Sequence, residues 1–393
     1  MKTNYKLIKV GSKQNIREFL RFPSKLYQKD KNWIRPLDED IEKIFDPQKN
    51  KLLLRGEIIR WLLLDDSKKT IGRIAAFYDS ADRDNGELKT GGIGFFDCID
   101  NQDAANLMFD AAKEWLQTKG MEAMDGPINF GSREQFWGCL SEGFFEPIHN
   151  MPYNHSYYNQ LLTNYGFQNY FNQLTYHISL IPGIMDPVIY EKGKRIRKEE
   201  GVEFRLFDPK KLEDFSEDFM TVFNEAWAKF PGVKEVSKKQ VVSTFKKMKP
   251  IIDPRIMIFG YYNNRPISFF IMIPDLYQVT KKFNGKLHLF NKLRLLFELK
   301  IRKVSTRAVG LIFGVVPDFQ NKGIADGMIL TFEDEVAKKS FQYTDLEMNW
   351  IGDFNTTMIK LVEYIGGKPR KIHITYRYLF DRNASFKRAN QLN

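Results

Sequence analysis

The residues best suited to chemistry fall in one stretch, Ala308 to Leu330, AVGLIFGVVPDFQNKGIADGMIL. Its first part, Val309 to Val316, is apolar and rich in β-branched side chains and stops at Pro317, which reads as a buried strand ending there. Asp318 and Phe319 follow, then Gln320-Asn321-Lys322-Gly323-Ile324-Ala325, then an amphipathic run from Asp326 to Lys339 that reads as a helix. A strand feeding a helix through a glycine-bearing turn leaves several backbone N–H groups unpaired at the helix start, all pointing at one spot. That spot suits a phosphate.

The turn has the form Gln/Arg-x-x-Gly-x-Gly/Ala, carried here by Gln320, Gly323 and Ala325 and preceded by Pro317. In this it resembles the GNAT superfamily of acetyl-CoA-dependent N-acyltransferases. The resemblance implies acetyl-CoA or another acyl-CoA as co-substrate, its pyrophosphate held by Gln320, Asn321, Lys322, Gly323, Ile324 and Ala325. It also implies that the strand ending at Val315 and Val316 splays from the next one, Asp345 to Trp350, with the pantetheine arm in the gap. Asp345 to Trp350 alternates strictly, with Asp345, Glu347 and Asn349 on one face. Glu347 then lies beside the expected thioester as the candidate catalytic base, with a salt bridge to a lysine as its competing role. Asn355 resembles the asparagine that caps the following helix and touches the pantetheine arm. Asn224, Trp227 and Asn349 are the candidate acceptor-binding residues, although a tryptophan such as Trp227 is more often simply core. One departure concerns catalysis. The tyrosine that often protonates the leaving thiolate falls at Val362, and Tyr364, two residues on, belongs to another face of its helix.

The elements around this stretch follow the same family order. Glu203 to Phe207 reads as a strand, Leu212 to Phe230 as a helix, and Ile256 to Tyr262 with Ile267 to Pro274 as a hairpin about Asn263-Asn264. Lys371 to Phe380 makes a last strand after Gly366-Gly367. The basic insertion from Gln278 to Thr306 reads as an amphipathic helix packed between two domains.

The first half repeats the order. Tyr5 to Val10 is a strand, Lys13 to Leu26 a helix broken by Pro23, Glu57 to Leu64 and Thr70 to Tyr78 paired strands, Phe95 to Ile99 a strand and Gln102 to Lys119 a helix. Tyr157 to Phe167 resembles the penultimate helix of the family. Where a glycine turn belongs, this half has Asp100, Asn101, Gln102 and Asp103, which suit a helix start and repel a pyrophosphate. We therefore expect an α/β chain of two tandem GNAT-like domains, each a mixed, mostly antiparallel sheet with helices on both faces. Residues 1–190 form a degenerate copy without cofactor, 191–202 a basic linker, 203–382 the acyltransferase domain and 383–393 a loose tail.

Composition sets the limits. The 393 residues exceed one ordinary core, and 43% hydrophobic residues with 33 Phe supply packed interiors. A net charge of +11 favours anionic partners such as a nucleotide cofactor. Two cysteines and five scattered histidines suggest neither a disulfide framework nor a metal site. The longest apolar candidate, Leu287 to Leu299, is interrupted by Asn291, Lys292, Arg294 and Glu298 and does not span a bilayer. These features point to a cytoplasmic protein, a monomer or homodimer, with neither specific nucleic-acid binding nor peripheral membrane contact expected, and the family resemblance implies a small-molecule or peptide amine as acceptor. Two competing functions are a CoA-binding sensor without catalysis, suggested by Val362, and an aminoacyl-tRNA-dependent transferase of similar tandem fold.

Overall fold

A computed structural model of the chain describes residues 4–80, 88–183, 186–228 and 234–389. In the first half the order is β1 (Lys6–Lys9), α1 (Lys13–Leu26), α2 (Asp38–Phe45), β2 (Gly56–Leu64), β3 (Thr70–Asp79), β4 (Thr90–Cys98) and α3 (Gln102–Thr118). It continues with β5 (Ala123–Gly126), β6 (Cys139–Glu142), α4 (Tyr157–Tyr165) and β7 (Gln168–Ser179). A connecting helix, α5 (Pro187–Ile196), leads to β8 (Val202–Leu206), α6 (Leu212–Ala226), α7 (Lys238–Met248), β9 (Met257–Tyr262), β10 (Arg265–Pro274) and α8 (Tyr277–Thr280). The chain then forms α9 (Leu289–Lys300), β11 (Arg307–Val315), α10 (Ile324–Val336), β12 (Asp345–Gly352), α11 (Thr356–Tyr364) and β13 (Lys368–Leu379).

The two halves repeat one plan. Antiparallel strands β2-β3-β4 and β9-β10-β11 each pass through a helix to a parallel partner, β5 or β12. The sheet is continuous across both halves, in the order β1-β2-β3-β4-β5-β13-β7-β12-β11-β10-β9-β8, with β6 on β13. The two terminal strands are exchanged: β7 of the first half pairs with β12 of the second, while β13 returns to pair with β5. The two exchanged strands also pair with each other over most of their length, from Lys368 opposite His177 to Arg377 opposite Gln168. Separate cores lie on either side of this seam. One packs α3 through Ala104, Ala105, Met108, Phe109, Ala112 and Leu116, the buried face of an amphipathic helix. The other gathers Phe215, Val222, Phe259, Phe269 and Met328.

Several local expectations hold. Asn263 and Asn264 adopt φ of 47° and 63° between β9 and β10, the left-handed pair that a two-residue hairpin requires. Three expectations need correction. Pro23 does not break α1, because it sits in the last turn and the carbonyl it leaves without an N–H donor, that of Phe19, accepts from Arg73 Nη1 at 2.6 Å. The α6 helix ends at Ala226, four residues before the expected Phe230, which lies outside the described residues. The insertion does not pack between the halves as a helix. Its tip does reach the first half, where Asp38 N–H donates to Gly285 O at 2.8 Å and Arg35 Nη1 to Asn284 Oδ1 at 3.2 Å. The α9 helix that follows turns its other face outward.

Candidate functional site

Strands β11 and β12 pair from Arg307 opposite Asp345 to Gly310 opposite Met348 and no further. Bulges open them. Ile271 of β10 faces Ile312 and Met272 faces Gly310, so Leu311 is an extra residue on β11. The register of β12 against β7 shifts between Met348 and Ile351, at Asn349 and Trp350. Extra residues bend a strand away from its neighbour, and here they part the sheet beside Leu311 and Asn349. At the upper end of this gap Val316 N–H donates to Ile267 O at 2.9 Å, fixing the end of β11 against β10 rather than against β12.

The chain then makes one tight turn at Pro317–Phe319 and takes left-handed conformations at Asn321, φ 59°, and Gly323, φ 84°, before entering α10. Gln320 braces the turn, its Nε2 donating to Val315 O at 3.1 Å, and Lys322 stands 5.2 Å from the Phe319 ring centre. The backbone N–H groups of Asn321, Lys322, Gly323, Ile324 and Ala325 meet no carbonyl among the described residues, and no side chain caps the helix. Five donors at the positive end of a helix, beside a parted pair of strands, are an arrangement suited to an anion. Asp326, in the first turn, is held by Tyr364 Oη, which donates to Oδ1 at 3.1 Å and in turn accepts from Lys192 Nζ at 3.2 Å. Burial raises the Asp326 pKa, while that hydrogen bond and the nearby Lys192 and Arg195 charges oppose the rise. Helix α5 lies close enough to deliver them because Gly193 has no side chain: a Cβ there would stand 2.8 Å from Asp326 O. Sequence reasoning missed this cluster. A glycine in the middle of a basic helix was the available signal.

The matching place in the first half is closed by its own chain. Ile128 N–H donates to Ile93 O at 2.7 Å, and a Cβ on Gly94 would lie 1.8 Å from Ile128 O. The start of α3 is capped by Asn101 Oδ1, which accepts from Ala104 N–H at 2.9 Å. The first half therefore has neither the gap nor the open turn.

No family model matches the chain. Protein YghO from Escherichia coli K12 is 24% identical over 373 residues, covering 93% of each chain. A bacterial ceramide synthase from Caulobacter vibrioides is 24% identical over 376 residues, covering 94% of this chain and 96% of that protein. Among solved structures, a tandem GNAT protein from the clavulanic acid biosynthesis pathway superposes with a TM-score of 0.53 at 7% identity, over 96% of this chain and 98% of its own. A GCN5-related glucosamine N-acetyltransferase region of a fungal multi-domain β-N-acetylglucosaminidase gives 0.55 at 13% identity, over 96% of this chain and 38% of that one. The chain has the tandem GNAT fold.

Within this GNAT fold the other singled-out residues are placed as follows. Asn355 caps α11, its Oδ1 accepting from Met358 N–H at 3.2 Å. Asn224 spans a loop, bonding Val236 through both N–H and carbonyl at 2.9 and 3.0 Å. Trp227 Nε1 donates to Phe313 O at 3.1 Å, on β11 just before the gap ends. Asn349 Oδ1 accepts from Trp350 N–H at 2.9 Å inside the β12 bulge. It lines a small cavity with Arg133, Trp137, Pro152, Trp350 and His373, so a first-half loop that sequence reasoning did not single out walls this side. Trp350 Nε1 donates to Arg133 O at 2.8 Å and ties that loop to β12. Val362 is buried beneath Gly367, and Tyr364 turns to Asp326 instead.

Glu347 is fully buried one strand step below the opening. Its Oε1 accepts a short hydrogen bond from Lys371 Nζ, while Arg370 Nε and Arg307 Nη1 stand 3.4 and 3.5 Å from Oε2. Burial draws the Lys371 pKa down against the pull of Glu347. Asp275 faces the same cluster, 3.6 Å from Arg307 Nη1.

Burial pushes the Asp275 carboxyl up to about 7 and the His373 imidazole down to about 4. The two act with opposite sign. Folded Asp275 keeps a proton that the unfolded chain has released, so stability falls as pH rises from the ordinary carboxylate value toward 7. His373, whose Nε2 lies 3.0 Å from Pro152 O, is neutral where the unfolded chain is protonated, so stability falls as pH drops from 6.5 toward 4. Urea midpoints across this range should show Asp275→Asn gaining on the wild type as pH rises, and His373→Gln gaining as pH falls. Parallel curves for either variant would contradict its assignment.

Proposed function

We propose that the chain is an acyl-CoA-dependent N-acyltransferase that uses its second half to pass an acyl group to an amine. The observation that carries this reading is the continuity of the β11–β12 gap with the open turn at Asn321 to Ala325. Acyl-CoA supplies the activated thioester. The five turn amides, with Gln320 holding their geometry, bind the diphosphate. Beyond Gly310 and Met348 the facing edges of the two strands offer backbone donors and acceptors to the pantetheine arm, as to an added strand, with Asn355 at the start of α11 beside it. A backbone N–H at the Leu311 bulge polarises the thioester carbonyl, and positioning supplies much of the rate. The amine enters past Asn349 and the first-half loop at Arg133 to Trp137. Glu347 acts at one remove, holding Lys371 and Arg370 below the gap or drawing a proton through Lys371.

Similarity to a ceramide synthase along nearly the whole chain supports a finer reading. A ceramide is an amide of a long-chain amino alcohol, so the acceptor we favour is an amine of that class. A second reading, CoA binding without transfer, is favoured by one feature. Val362, at the place of the usual proton donor, is enclosed in the core.

A matrix of acyl-CoA lengths against amines, with free thiol as the readout, separates these readings. The expected result is thiol release that requires an amine and is fastest with a long-chain amino alcohol. Tight CoA binding with no release for any amine would leave the sensor reading.

A further inference from the structure

The inference concerns α9 and is independent of the reaction. One face of the helix is anchored: Leu295 and Leu299 join Leu276, Val279 and Phe283 in a small core, and Asn291 Nδ2 donates to Lys286 O at 2.8 Å. The opposite face is bare. Leu289 is 74% exposed, Phe290 68%, Leu293 59%, Phe297 51% and Ile301 69%, and 289, 293, 297 and 301 form one row, inclined to the helix axis, at a spacing of four. The row is about 18 Å long at 1.5 Å per residue. Large apolar side chains in such a contiguous stripe mark a surface meant to be covered.

The charges beside the stripe indicate what covers it. From Leu276 to Arg307 the basic residues are Lys281, Lys282, Lys286, Lys292, Arg294, Lys300, Arg302, Lys303 and Arg307, and Glu298 is the sole acid. Glu298 is buried and engaged by Arg294 and Arg302. Lys286, Lys292 and Lys303 are exposed, respectively before, within and after the helix that carries the stripe. An apolar row accompanied by lysines matches the boundary between acyl chains and anionic headgroups, where each half of the face meets its own solvent. We propose that the exposed face of α9 docks the protein on an anionic lipid surface. The helix follows β10 and precedes β11, so docking engages the end of β11 opposite the phosphate turn and leaves that turn uncovered.

The test is co-sedimentation of the full chain with vesicles of phosphatidylcholine alone or mixed with phosphatidylglycerol. The wild type should sediment with the mixed vesicles and be released by salt. Leu293→Asp/Phe297→Asp should lower the partition coefficient about tenfold or more, and Lys286→Gln/Lys292→Gln should lower it on anionic vesicles only. All four side chains are exposed, so unchanged thermal unfolding should accompany both variants. If the aspartate pair does unfold the chain, the glutamine pair alone decides. The proposal is overturned if the wild type ignores both vesicle types or if neither variant changes binding. It is also overturned if the aspartate pair instead converts a wild-type dimer to monomer, which would make a second copy the occupant.

Discussion

Titrated with acetyl-CoA in a calorimeter, Gly323→Glu should lose binding on the order of a hundredfold or more, while Gly323→Ala keeps affinity within several-fold. Both substitutions carry the same backbone cost, about 1 to 2 kcal/mol for an L side chain held at φ 84°. They differ in charge. The nearest atoms to a Cβ at this position are 3.7 Å away, so alanine fits. Glutamate puts a carboxylate among the five open amides, where it caps the helix itself and opposes an incoming diphosphate. Unscreened like-charge contact costs several kcal/mol, and about 2.7 kcal/mol already makes a hundredfold. Equal loss in both variants would trace the effect to backbone strain, and no loss in either would remove the cofactor from this turn.

Glu347→Ala should be strongly destabilising, by about 3 to 5 kcal/mol, since it leaves the buried Lys371 without its counter-charge, whereas Arg307 keeps Asp345. Lys371 and Glu347 are both essentially sealed from solvent, and Arg307 and Arg370 already crowd the same carboxylate. Removing both charges is expected to cost much less. Glu347→Met/Lys371→Met should recover most of the stability, because two apolar side chains replace an ion pair that was expensive to desolvate. Denaturant midpoints measure both effects, and the pH profile of thiol release tests the role of Glu347 in transfer. If Glu347 serves as the base, the double variant folds but stays slow and loses the acidic limb of its pH–rate profile. Recovery of turnover together with stability would make Glu347 a structural anchor.

Much of this was legible in the sequence, for a physical reason. A turn such as Gln320 to Ala325 is encoded locally, by a glycine needed at a left-handed position and a helix that begins at once. The capped helix start of the first half was equally local, since Asn101 caps a helix in any surroundings, but the pairing of Ile128 with Ile93 that closes its gap was not. What the sequence hid was non-local. Nothing in the alternation of Gln168 to Ser179 or Lys368 to Leu379 says which neighbour each strand will choose, so the exchange of β7 and β13 went unseen. Glu347 presented the same difficulty. Its strand face could be read, but its partner Lys371 arrives from another strand 24 residues on. Pro23 misled because the donor that relieves it, Arg73, is 54 positions from the carbonyl it serves. The insertion misled because apolar residues around most of a helix usually signal burial, and here half of them face outward.

The exchanged strands bear on how such a chain can evolve. A duplicated unit that has lost its own ligand is ordinarily free to decay or to be deleted. Here the first half supplies the strand flanking β12, on the far side of the gap, and its own β5 rests on the strand that closes the second half. Deleting either copy would leave the other with an open edge in the middle of its sheet. The first half is thus required by the sheet of the second, whatever its own chemistry.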